Sequence, residues 1–207
     1  MLAATFTTAL VGVTAELVRV EADVSFGLPA FTVVGLPDAS VRESRDRVRS
    51  AIRSAGLEYP PHRITVNLSP ADLRKAGSSF DLPIALAVLA AAGQLRPALP
   101  PGAVVLGELS LDGRVLPCRG VLPAALTARR AGMSMVMVPL DNVAEAQLVP
   151  NLDVRPAASL LEALRELTDP QHAIAASLPR PAAEAIDPPD LVDVRGQSLA
   201  RRALEIA

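Results

Sequence analysis

Residues 74–93 read RKAGSSFDLPIALAVLAAAG: a basic pair, a small-residue turn, two serines and a long apolar run. From residue 80 to 92 the run is apolar nearly all round, so as a helix it has no face for water and belongs deep in a core. How it starts allows two readings. Ser78 with Asp81 three residues on has the S-x-x-D form of a capping box, the positive helix end favours Asp81, and Pro83 falls in the first turn, where a missing N–H costs little. Alternatively Ser79 is a nucleophile. A serine hydroxyl is weak at neutral pH and needs an adjacent base. The candidates are His62 before a strand, His172 far downstream, and Lys75, the one lysine, in what reads as an exposed loop.

The flanks of this helix read as an α/β domain. Upstream, TFTTALVGVTAELVRVEADVSFG splits near Gly12 into a hairpin, and AFTVVG is a third strand ending at Gly35. The next segment, 36–56, carries Asp38 as N-cap and Gly56 just past its end, with Val41, Val48, Ile52 and Ala55 on one helical stripe. RITVNLSP then reads as a buried strand ending at Pro70. Downstream, AVVLGELSLDGRVLP reads as two strands joined at Asp112-Gly113, followed by a helix from about 122 to 130. MSMVMVP, with Met133, Met135 and Met137 alternating, is a strand; LDVRP is a shorter one, and ASLLEALREL a short amphipathic helix. Strands interleaved with helices and hairpins predict a mixed sheet with packed helices over residues 1–168. Residues 169–190, rich in proline and alanine and without periodicity, read as a linker, and 191–207 as the start of another module cut from something longer.

Half the 207 residues are apolar, yet no run is long enough and clean enough to span a membrane. The apolar start lacks a positive n-region and is interrupted by Glu16 and Arg19, which suits strands better than a signal peptide. A single Cys118 excludes an internal disulfide and fits a reducing cytosol, so a cytoplasmic location is expected. One cysteine and two scattered histidines form no zinc-like cluster, so no metal site is expected.

Charge is unevenly placed. The net is −2, but residues 42–75 hold eight basic groups against four acids. Arg42, Arg45, Arg49 and Arg53 fall on one flank of the 36–56 helix; Arg63, Arg74 and Lys75 follow. These seven are the candidate nucleic-acid contacts, since Arg and Lys on phosphates give salt-dependent binding without sequence preference. A solvated face balanced by Glu43 and Asp46, or a subunit interface, is the competing reading. Phe6, Phe26, Phe31, Phe80 and Tyr59 are the whole aromatic supply and read mostly as core, which argues against stacking platforms.

Two resemblances extend this reading. KAGSSFDLPIALAVLAAAG followed by GELSLDGRVLPCRGVLPAALTARRAGMSMVMVP resembles the proteolytic domain of Lon-type proteases, which implies a ribosomal-S5-domain-2-like fold. Ser79 falls on that family's nucleophile, but Leu122 stands where its lysine belongs, so no catalytic residue is expected. The longer motifs GLPDASVRESRDRVRSAIRSAG, RITVNLSPADLRKAGSSFDLPIALAVLAAAGQL and LVDVRGQSLARRALEIA resemble the ComM/YifB proteins, often labelled magnesium-chelatase-like. That resemblance implies an N-terminal Lon-like domain of an AAA+ ATPase, a hexameric DNA branch-migration helicase of recombination and natural transformation, using ATP and magnesium. Residues 193–197 resemble the lead-in to an AAA+ adenine pocket, with Val194, Gly196 and Gln197 as a partial cofactor site. No G-x-x-x-x-G-K-[ST] loop is present, so these residues alone should not hydrolyse ATP. A Lon-like serine peptidase and a metal-chelatase ATPase subunit are the alternative functions.

Overall fold

The computed structural model describes residues 1–95, 99–168, 193 and 195–206. β1 (Leu2–Val11) and β2 (Thr14–Ser25) form the expected hairpin about Gly12, and β3 (Ala30–Val34) follows. Next come α1 (Ala39–Ser54), β4 (Arg63–Ser69) and α2 (Asp81–Ala91). The remaining strands are β5 (Ala103–Val105), β6 (Glu108–Leu109), β7 (Val115–Leu116), β8 (Met135–Pro139) and β9 (Asp153–Ala157). The remaining helices are α3 (Val121–Arg130), α4 (Val143–Ala146), α5 (Leu160–Thr168) and α6 (Ser198–Ile206).

Seven strands make one mixed sheet in the order β3-β4-β2-β1-β5-β8-β9. β2 runs antiparallel to both β1 and β4, whereas the β3–β4, β1–β5, β5–β8 and β8–β9 pairs are parallel. The period-2 pattern decides what each face meets. On β8, Met135 and Met137 join the larger core with α1, α2 and α5, while Val136 and Val138 join a second core with α3 and α4. Helices therefore cover both faces, as the mixture of strand and helix patterns predicted. α2 is the central helix, with every side chain from Asp81 to Leu89 buried. Each fully buried Leu or Ile there contributes about 1.5–3 kcal/mol.

One reading changes. The 103–117 segment holds three short strands instead of two: β5 lies in the main sheet, and β6 and β7 form a separate ribbon. The switch is at Gly107, whose N–H donates to the Ser79 carbonyl and whose carbonyl accepts from the Leu82 N–H. A Cβ at Gly107 would lie 2.8 Å from Val115 Cγ1 and 3.1 Å from Leu82, so only glycine lets the chain cross the start of α2 this closely.

Residues 169–190, read as a linker, lie outside the described residues. α6 buries none of its side chains.

Candidate functional site

α1 starts where Asp38 accepts a hydrogen bond from the Val41 N–H at 2.9 Å, and it ends before Gly56 at φ +72°. Its buried stripe (Val41, Ser44, Val48, Ala51, Ile52) packs towards α2, leaving two flanks with different roles.

On one flank Arg45, Arg49 and Arg53 line a groove of about 210 Å³ with Tyr59, His62 and Phe31. The Arg49 guanidinium lies 5.8 Å from the Tyr59 ring centroid. Burial raises the Tyr59 phenol above its ordinary value, although all three arginines pull it down. Among the described residues Arg49 and Arg53 have no carboxylate partner, and Arg45 has only its exposed neighbour Asp46 at 3.8 Å.

The other predicted basic residues do not join this groove. Arg42 continues the same flank towards the start of α1, where it lines a second recess with Arg74 and Asp38. Arg63 alternates with the buried Ile64 on β4 and so projects from the opposite face of the sheet. Lys75 corrects the sequence reading: it is fully buried, with Nζ donating to the Pro70 carbonyl. Its backbone N–H and carbonyl pair with the Leu36 carbonyl and the Asp38 N–H. Burial holds its ammonium below the usual lysine value against the attraction of Asp72. It ties the 70–75 loop to the start of α1 and offers no cation to a ligand.

The other flank of α1 supports a cleft. Arg47, which lies off the basic stripe, reaches the fully buried Asp81 at the start of α2: Nε to Oδ2 is 2.6 Å and Nη2 to Oδ1 is 3.0 Å. Asp81 also accepts from the Leu109 N–H at 3.2 Å, so the capping-box reading gives way to an inter-helix ion pair. Burial pushes the Asp81 carboxyl up, and the Arg47 fork pulls against that rise. The missed signal was a lone acid at the head of an otherwise apolar helix, which demands a buried cation.

Ser78 and Ser79 lie in a one-turn 3-10 segment ahead of α2 and form the lip of a cleft of about 460 Å³. The Ser78 hydroxyl donates to Glu108 Oε2 instead of capping the helix. The Ser79 hydroxyl has no hydrogen-bond partner among the described residues. Glu108, Cys118, Arg119 and Gly120 also line it, and among the described residues no imidazole or amine does. Burial and the nearby Glu145 and Glu108 carboxylates push the Cys118 thiol up to about 12. Leu122 is one residue into α3, its N–H donated to Glu145 Oε1 at 2.8 Å, and it is not among the lining residues. His62 belongs to the arginine groove, and His172 lies outside the described residues.

Gly196 and Gln197 are exposed ahead of α6, Val194 lies outside the described residues, and the one lysine is engaged with Pro70. No group of three His, Cys, Asp or Glu among the described residues is placed to hold a metal ion.

Fold and sites together define a layered α/β domain with a serine-lipped cleft on one side of α1 and an arginine groove on the other. The chain belongs to the family described as subunit ChlI of Mg-chelatase, whose family model matches residues 20–142. It is 46% identical over 205 residues to an uncharacterized protein of Mycobacterium tuberculosis, covering 98% of this chain and 40% of that one. It is 40% identical over 210 residues to competence protein ComM of Haemophilus influenzae, covering 100% of this chain and 41% of that protein. A Lon protease of Chloroflexus aurantiacus is 33% identical over 143 residues, 65% of this chain and 17% of the protease. The ComM/YifB resemblance read from the motifs is thus borne out, with Lon proteases as more distant relatives. The chain spans about 40% of the length of the relatives it matches end to end.

Proposed function

We propose that these residues form the N-terminal accessory domain of an ATP-dependent AAA+ motor acting on DNA, a branch-migration helicase of recombination and natural transformation. The observation that carries this reading is the α1 flank: three arginines in one groove, two of them without a carboxylate partner among the described residues. Such groups favour a polyanion, and phosphates are the anions a DNA motor meets. The similarity to a competence protein supports the same reading. ATP and magnesium would be handled by parts of the longer protein, which would work as a hexamer in the cytoplasm; no helix among the described residues is long and apolar enough to cross a membrane.

The open Ser79 hydroxyl keeps the peptidase alternative in view, but a serine without an adjacent base is a poor nucleophile, so the cleft favours a retained scaffold over retained chemistry. The chelatase alternative draws on the family description alone.

The test uses the natural full-length protein. DNA should stimulate its ATP hydrolysis, and Arg49→Glu combined with Arg53→Glu should weaken DNA binding while leaving hydrolysis without DNA unchanged. An ATPase indifferent to DNA, with binding untouched by charge reversal, would sink the proposal.

A further inference from the structure

The loop joining α1 to β4 is the wall between two recesses. One is the arginine groove; the other, of about 380 Å³, is lined by Phe26 and the end of α2, and the two share Pro60, Pro61 and His62. The aromatic residues read mostly as core, but Phe26 is 95% exposed. It is not adrift: His62 holds it edge-on, with ring centroids 5.4 Å apart and planes at 86°. Phe26 thus stands in water, oriented by His62, across a shared wall from a groove whose Arg49 and Arg53 have no carboxylate partner among the described residues. Phosphates satisfy the guanidiniums, and a flat unsaturated ring satisfies the free face of Phe26.

Only one polyanion offers both at once. Duplex DNA keeps its bases stacked inside, leaving phosphates for Arg45, Arg49 and Arg53 and nothing for Phe26. A single strand presents phosphates and unpaired bases on the same chain. We propose that the Phe26–His62 shelf and the Arg45/Arg49/Arg53 groove form a site for single-stranded nucleic acid, with a base stacked on Phe26 and adjoining phosphates on the arginines. The site rests on the nucleic-acid reading above and narrows it from any polyanion to an unpaired strand.

Fluorescence anisotropy on the full-length protein, with labelled oligothymidylate, a duplex of equal length and polyglutamate, tests it. Phe26→Ala should lower affinity for the single strand about fivefold or more, the low end of a stacking contribution, and leave duplex affinity unchanged. Phe26→Leu, which keeps apolar bulk without a ring face, should behave like the alanine variant. Arg49→Ala and Arg53→Ala should weaken both nucleic acids and reduce the slope of log affinity against log salt by roughly 0.7 for each lost single-strand phosphate contact. Equal losses on single strand and duplex, no loss in Phe26→Ala, or polyglutamate binding as tight as the single strand would each overturn the site. If Phe26→Ala binds normally while DNA still stimulates ATP hydrolysis, this site falls and the motor reading stands; if wild type shows neither DNA binding nor stimulation, both fall.

Discussion

Arg47 and Asp81, 34 positions apart, meet in a two-point ion pair that joins the middle of α1 to the first turn of α2. Asp81 is sealed from water and Arg47 largely so. The pair fixes the approach of the two helices, and with it the Ser78–Ser79 lip beside Asp81. Removing one partner leaves a buried charge alone. Arg47→Ala should therefore cost about 3–5 kcal/mol, read as a fall in the urea midpoint. The double variant Arg47→Met/Asp81→Leu should be more stable than either single variant. A cost under 1 kcal/mol for Arg47→Ala would show that water reaches the pair.

Asp38 should lend α1 a stability that depends on pH. Burial raises its carboxyl, but the Val41 and Gly77 N–H groups, the Ser40 hydroxyl and the Arg74 charge outweigh this and hold it below the usual value. A carboxyl depressed in the folded state stabilises above its unfolded value, near 3.9, and that stabilisation is lost as pH falls through the lower folded value. Asp38→Ala should cost about 1 kcal/mol at neutral pH, and the gap from wild type should close in acid. Chemical denaturation at pH 7 and at successively lower pH measures it; a gap that widens in acid would be the wrong sign.

The two serines at the cleft should respond differently. Ser78→Ala removes a hydrogen bond to the Glu108 carboxylate and should cost about 1.5 kcal/mol. Ser79→Ala removes no side-chain bond to any described residue and should stay within about 0.5 kcal/mol of wild type. Neither should change the rate at which a fluorogenic peptide is cleaved. A cleavage rate that vanishes only in Ser79→Ala would revive the peptidase.

Cys118 should be slow towards alkylating reagents. The thiolate is the reactive form, and a thiol pushed to about 12 carries on the order of a thousandfold less of it near neutral pH than a free cysteine. Iodoacetamide labelling followed by mass spectrometry, before and after unfolding in urea, should show the difference; equal rates would mean an open thiol.

The periodic signals carried the fold. The hairpin at Gly12, the capped α1, the all-apolar α2 and the alternating methionines of β8 each express one local rule, and each stands where that rule put it. The sites were less legible because they depend on pairings distant in sequence. Arg47 and Arg49 look alike in the sequence, yet one is tied to Asp81 and the other is open beside Tyr59. Lys75 reads as a loop cation until the Leu36, Asp38 and Pro70 backbones close around it. The aromatics read mostly as core, and nothing local marks Phe26, in the turn between β2 and β3, as the one turned outward.

The sealed position of Lys75 gives the chain an internal reporter. Succinimidyl esters find no lysine at the surface of the native fold, so acylation at this position registers only those moments when the 70–75 loop lifts away from the start of α1. Its rate would time that opening without any introduced probe.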